Sequence, residues 1–288
     1  MANKFFRFLL AFSLLISAAV SGCARQVSVQ EIANRTAEAI PKVDSVKMDM
    51  HATVEMSSAG GKTPFAMSMT QDMTAEINNT PRQMHAIITA AMNMAPLGNI
   101  NMTMEMYLID QWMYTATDLF GTGKQWIKTP VTETDWETQN QLQQQAEFLR
   151  SAVKVTSLGT EVVGGVECYV LEVKPDLAAL MEWAKTQQVS PGTGMDGFDI
   201  DKVDLADMIK TYSMKEWITK DGYLLKKAEM EMVMEVSGQD FMATATIAGK
   251  TTMTLKASMN FYDYNKPVTI TVPPEALAAE ETRYPGIN

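Results

Sequence analysis

The sequence predicts a mainly β protein with a few helices, an α+β chain organised on one antiparallel sheet. Three observations lead there. Long stretches carry apolar residues at every second position, as in Ile100, Met102, Met104, Met106 and Leu108, with Asn101, Thr103 and Glu105 between them. A strand points successive side chains to opposite faces, so this spacing makes one apolar and one polar face. The links between such stretches are short and rich in turn residues, which predicts an antiparallel meander. Helical spacing is confined to four short segments.

The first element is a leader. Lys4 and Arg7 precede an apolar run from Phe8 to Val20, and Val20-Ser21-Gly22-Cys23 follows. The run is too short for a spanning helix and has the form of a secretory signal. Its end resembles a bacterial lipobox, in which cleavage precedes the cysteine and the thiol is acylated. Residues 1–22 are therefore expected to be a signal peptide, Cys23 a lipid anchor in the membrane, and 23–27 a short tether. Residues 28–288 are expected to be one domain outside the cytoplasm. With Cys23 acylated, Cys168 has no intramolecular partner. Within the strand-like run Val166 to Val173 it is expected to act as a small buried hydrophobe.

Ser28 and Glu31 form a capping box for a helix with Val29, Ile32, Ala33, Ala37 and Ile40 on one stripe, ended by Pro41. Four alternating stretches come next. The first sets Val46, Met48, Met50, Ala52, Val54 and Met56 on one face, and the second Met67, Met69, Met73, Ala75 and Ile77. The third sets Met84, Ala86, Ile88, Ala90, Met92 and Met94, and the fourth is the stripe from Ile100 to Leu108. A fifth strand spans Gln111 to Thr117. A helix with Trp136, Leu142, Ala146, Leu149 and Val153 follows, then a hairpin turning at Gly164-Gly165. Further helical patterns begin at Asp176 and at Leu205, the latter with Met208, Ile209 and Tyr212. The chain then returns to strands over Ser213 to Lys220, through an Asp221-Gly222 turn, to a stretch holding Met230, Met232 and Met234. Phe241 to Ala248 and the run with Met253, Leu255, Ala257, Met259 and Phe261 make another pair. Val268, Ile270 and Val272 are expected to end the sheet.

Composition limits the function. Of 24 methionines, thirteen lie between Met48 and Met113 within strand alternation. Methionine is unbranched and flexible, so it fits irregular or changing shapes better than it fixes one. The formal net charge is −10 and becomes more negative once Lys4 and Arg7 leave with the signal. That disfavours nucleic acid, whose binding depends on neutralising phosphates. His51 and His85 fall at polar parity and are expected on the surface. No nucleophile and base pair, phosphate loop or zinc spacing is present, so no catalytic residue, metal or cofactor is nominated. Asp196, Asp199, Asp201, Asp204 and Asp207 miss the spacing of a helix-loop-helix calcium site. About ten strands would offer roughly 1,600 Å² of apolar face, whereas four helices cover about 900 Å². Such a sheet must either curl over itself or leave a Met-lined cavity.

Three ordered segments carry a resemblance: Val166 to Val173, Glu216-Trp217-Ile218-Thr219-Lys220-Asp221-Gly222-Tyr223-Leu224, and Phe261 through Pro273. Together they resemble bacterial lipoproteins of the LppX/LprG type, similar in fold to the LolA/LolB lipoprotein carriers. The resemblance implies a single curved sheet forming an incomplete barrel, its concave face covered by helices and holding acyl chains. The expected function is therefore binding or carrying a lipid or acylated molecule, without catalysis. The lining expected for such a cavity comprises Met48, Met50, Val54, Met67, Met69, Met84, Ile88, Ile100, Met102, Met104, Met106, Met230, Met232, Met234, Met253, Leu255 and Met259. The alternative is an envelope sensor or scaffold that binds a polypeptide in the same groove or along a sheet edge. The sequence identifies no protein partner.

Overall fold

The computed structural model describes residues 27–59, 66–94, 98–119, 121, 123–132, 136, 140, 142–145, 149, 152, 154–174, 208–237 and 250–282. Cys23, the helical pattern after Asp176, the aspartates at 196–207 and the run Phe241 to Ala248 lie outside them.

Helix α1 (Val29–Ala39) begins at Ser28, whose hydroxyl accepts from the Glu31 amide at 3.1 Å. Glu31 turns its carboxylate to Arg35 at 2.5 Å. Ile32, Ala33 and Thr36 are buried, and a single 3₁₀ turn at Ile40–Lys42 leads into the sheet.

Eleven strands follow among the described residues: β1 (Ser45–Ala59), β2 (Ala66–Asn79), β3 (Arg82–Met94), β4 (Gly98–Ile109), β5 (Trp112–Leu119), β6 (Gln125–Pro130), β7 (Lys154–Val163), β8 (Val166–Lys174), β9 (Ile209–Thr219), β10 (Leu225–Ser237) and β11 (Lys250–Tyr262). They form one antiparallel sheet in the order β6-β5-β4-β3-β2-β1-β11-β10-β9-β8-β7, not closed into a barrel. Two meanders thus meet where β1 pairs with β11. The turn between β7 and β8 uses Gly164 and Gly165 at φ 58° and 82°, the left-handed pair that a two-residue hairpin needs.

Side chains from outside the sheet join its buried apolar rows. Ile32, Ile40, Trp136, Leu142 and Leu149 share a core with Val46, Met48, Ile77, Met84, Leu108, Leu171, Ile218 and Phe261. Residues 142–145 are helical, and the amides of Asn140 and Gln144 donate four residues back.

Two expectations are corrected. The helical pattern at Leu205 to Tyr212 stops early, because Met208 is helical whereas Ile209 to Tyr212 open β9. Tyr212 pairs with Met232 and Thr211 with Val233, so ladder bonds to β10 override the local 3.6-residue spacing. Val268, Ile270 and Val272 do not extend the sheet. Asp263 and Asn265 at positive φ, followed by Pro267, turn the chain away. Instead Ile270 packs with Tyr107, Tyr114 and Ala276 on the polar face. Beyond it α2 (Pro274–Leu277) leads to residues 280–282, which cover the outer edge of β6 by backbone bonds at Lys128.

Candidate functional site

The antiparallel registers sort the apolar face into rows that cross the sheet. The row nearest α1, made of Val46, Ile77, Met84 and Leu108, is fully buried. So is the next, with Phe261, Met48, Ala75, Ala86 and Met106. The third row is divided. Leu171, Glu216, Ala228 and Met259 are buried, while Met50, Met73, Ile88 and Met104 are half-buried.

Beyond the third row the face opens. The fourth runs from buried Met214 through half-buried Met230, Ala257, Ala52, Gln71, Ala90 and Met102. The fifth, Tyr212, Met232, Leu255, Val54, Met69, Met92 and Ile100, is half-buried throughout. In the sixth, Met234, Met253, Met67 and Met94 are half-buried and Met56 is buried.

All seventeen residues expected to line a cavity therefore stand on one face of one sheet. Met48, Met84, Met106 and Met259 are packed in the core. The other thirteen are the half-buried ones: Met50, Val54, Met67, Met69, Ile88, Ile100, Met102, Met104, Met230, Met232, Met234, Met253 and Leu255. The half-buried tract runs over several adjacent strands, and none of its thirteen side chains is among the exposed large hydrophobic residues.

Sequence reasoning missed the polar groups set into this face. Glu216 lies between Leu171 and Ala228 in the register, is 1% exposed, and has no hydrogen-bond partner at Oε1. Burial alone pushes its carboxyl up to about 8, so it is mostly protonated at neutral pH. Gln145, on the helical segment, points Nε2 at the Met259 sulfur at 4.0 Å and leaves Oε1 unpartnered. Tyr212 donates to the Met214 sulfur at 3.3 Å, and burial raises its hydroxyl to about 12 with the Glu216 charge as a second cause. A signal for Glu216 was present, since it shares parity with Met214 and Ile218. Trp217 at the opposite parity obscured it.

The polar face carries the histidines. His51 is exposed and 2.7 Å from Asp72. His85 is at the expected parity but half-buried, stacked on Tyr107 at 4.3 Å and bonded to Glu105 at 3.1 Å. Lys124 and the Tyr107 hydroxyl also bond Glu105, whose carboxyl stays below its ordinary value because these bonds outweigh the opposing effect of burial. A trough of about 390 Å³ on this face is lined by Lys215, Lys256, Glu229, Glu231 and His51. Its charges are partly matched, as in Lys256 with Glu231 at 3.1 Å. Cys168 is fully buried, as expected, and burial raises its thiol. Among the described residues no cluster of three His, Cys, Asp or Glu side chains could hold a metal ion. No described helix is long and apolar enough to cross a membrane.

The model of DUF6612, a family of unknown function, matches residues 28–281. No curated protein matches the chain. Among solved structures it is similar to the lipoprotein LppX of Mycobacterium tuberculosis, at 12% identity and a TM-score of 0.39, covering 84% of this chain and 98% of that one. It is similar also to LprF of Mycobacterium bovis, at 15% identity and a TM-score of 0.43, covering 85% and 96%. A putative outer membrane lipoprotein-sorting protein domain from Vibrio parahaemolyticus is matched at 10% identity and a TM-score of 0.20, covering 84% and 95%. The resemblance to lipoproteins of the LppX/LprG type read from the sequence recurs in these neighbours.

Proposed function

Because the chain belongs to DUF6612, a family that supplies no activity of its own, we propose a function from the geometry of its sheet. The protein is a lipid-anchored extracytoplasmic lipoprotein that binds or carries a lipid or acylated molecule against its Met-rich face. The observation that carries this reading is the gradient across the rows, closed core at one end and thirteen half-buried Met, Val, Ile and Leu side chains beyond it. Each ligand methylene removed from water there would contribute about 0.8 kcal/mol, so a single acyl chain is held without a charged anchor. Methionine lets the wall re-pack around chains of different length. The leader ending at Cys23 supplies the anchor, and no residue set for catalysis enters the reading.

Lipid extraction and mass spectrometry of protein made without its lipobox cysteine test the proposal. The expected result is a stoichiometric co-purifying acyl species, or uptake of offered lipid. Protein that stays empty and ignores offered lipids refutes it.

A polypeptide-binding reading has one observation of its own. Among the described residues the outer edge of β7 has no strand partner, and Leu158 and Val162 on that strand are exposed. An edge of this kind accepts an added strand. Cross-linking in cells that returned one dominant protein and no lipid would favour it over the carrier.

A further inference from the structure

We infer that Glu216 is a ligand-binding residue, which donates a hydrogen bond to a carbonyl oxygen at the polar end of the bound acyl chain. This rests on the carrier reading and narrows it. The ligands are those whose chains are joined through ester or amide linkages.

The argument starts from what surrounds the carboxyl. Its strand neighbours at the same parity are Met214 and Ile218, and its cross-strand neighbours are Leu171 and Ala228. All four are buried, and among the described residues no basic side chain contributes to its electrostatics. A carboxyl in such surroundings is held neutral, and a neutral carboxyl has an O–H to give. Leaving that capacity unused in an apolar interior is costly, and a buried polar atom without a partner needs an explanation. A leucine would fill the same place in the core with no polar atom to satisfy.

Position supplies the explanation. Glu216 sits in the third row, where the buried half passes through Ala228 and Met259 into half-buried Met50, Met73, Ile88 and Met104. Along β9 it is followed at the same parity by Met214 and Tyr212, which lead into the open rows. A chain lying on those rows brings its polar end to this border. Gln145 adds a second orphan, an unpartnered oxygen on the side chain that touches Met259 in the same row. An ester supplies the acceptor for Glu216, and an amide linkage supplies in addition an N–H for Gln145.

The test compares two lipids of the same head group and chain length, dioleoyl phosphatidylcholine and its dialkyl-ether analogue, in competition against a fluorescent fatty-acyl probe. Wild-type protein is expected to prefer the ester lipid about tenfold, the scale of one hydrogen bond to a buried group. Glu216→Gln keeps an N–H donor and is expected to stay within about threefold of wild type for both lipids. Glu216→Leu is expected to bind both alike, at the level of the ether lipid. Equal binding of the two lipids by wild type, or a preference that survives Glu216→Leu, overturns the role of Glu216 while leaving the carrier reading intact. Binding of neither lipid by wild type overturns both. Where Glu216→Leu fails to fold, Glu216→Met takes its place, with the same expected loss of the ester preference.

Discussion

Glu216 makes the stability of the fold pH-dependent in an unusual direction. Its carboxyl is pushed up to about 8 in the folded chain against an ordinary 4.5, because burial disfavours the charge and no cation among the described residues offsets it. Below pH 4.5 both states hold the proton and the group has no effect. Between 4.5 and 8 the unfolded chain releases a proton that the folded chain keeps, so unfolding becomes easier as pH rises. The slope approaches about 1.4 kcal/mol per pH unit, and the accumulated loss from pH 5 to pH 8 is about 3 to 4 kcal/mol.

Glu216→Gln removes the titration and nearly preserves the shape. Urea denaturation of both proteins at pH 5, 6, 7 and 8 isolates the effect, since every other ionisable group is common to the pair. With a urea m-value of about 3 kcal/mol/M for a domain of this size, the midpoint of the variant is expected to gain about 1 M on wild type between pH 5 and pH 8. A difference between the two midpoints that stays constant over that range refutes the reasoning. It would mean that the carboxyl reaches water or a partner in the folded chain.

Four further outcomes follow from the rows and the helix cap. Phe261→Ala, at a fully buried side chain in the second row, is expected to lower stability by about 3 to 5 kcal/mol in equilibrium unfolding. Ser28→Ala removes the acceptor for the Glu31 amide and is expected to cost about 1 kcal/mol, while Ser28→Gly costs only a few tenths. Met104→Leu and Met232→Leu, in the half-buried part of the face, are each expected to change stability by less than about 1.5 kcal/mol. Met232→Lys is expected to abolish uptake of acyl lipid in the extraction assay with the fold retained, as judged by circular dichroism.

The sheet was legible because its alternation is long and unbroken. In β1 through β4 the parity of Met, Val, Ile and Ala predicts the face that the registers then show, from Val46 opposite Ile77 to Met92 opposite Ile100. Two kinds of information were not in the local pattern. Ile209 and Tyr212 stand three apart, which fits a helical stripe better than strand alternation, and only the ladder with β10, with its register shift between Val233 and Met234, makes them a strand. Val268, Ile270 and Val272 alternate as a strand does, but they cross to the other face to cover Tyr107 and Tyr114. The candidate site was legible as a face and not as a gradient. Nothing in the identity of Met48 or Met104 distinguishes the packed one from the accessible one, because that difference is set by residues from distant parts of the chain that join the cluster around Met48.

Methionine alone therefore does not mark the proposed site. Met48, Met84, Met106 and Met259 show that the same residue serves as ordinary core filler in this sheet. What marks the site is the change along each strand from buried to half-buried at constant chemistry, at nearly the same row on β1, β2, β3 and β4. A core that was only poorly filled would leave scattered gaps, since packing defects depend on individual shapes. An ordered boundary across four strands instead coincides with the limit of the buried cluster that Ile32, Ile40, Trp136, Leu142 and Leu149 share with the sheet. Glu216 and Gln145 both stand near that boundary on its buried side. Polar groups there would be a liability to a closed core and useful to a face that receives a chain with one polar end.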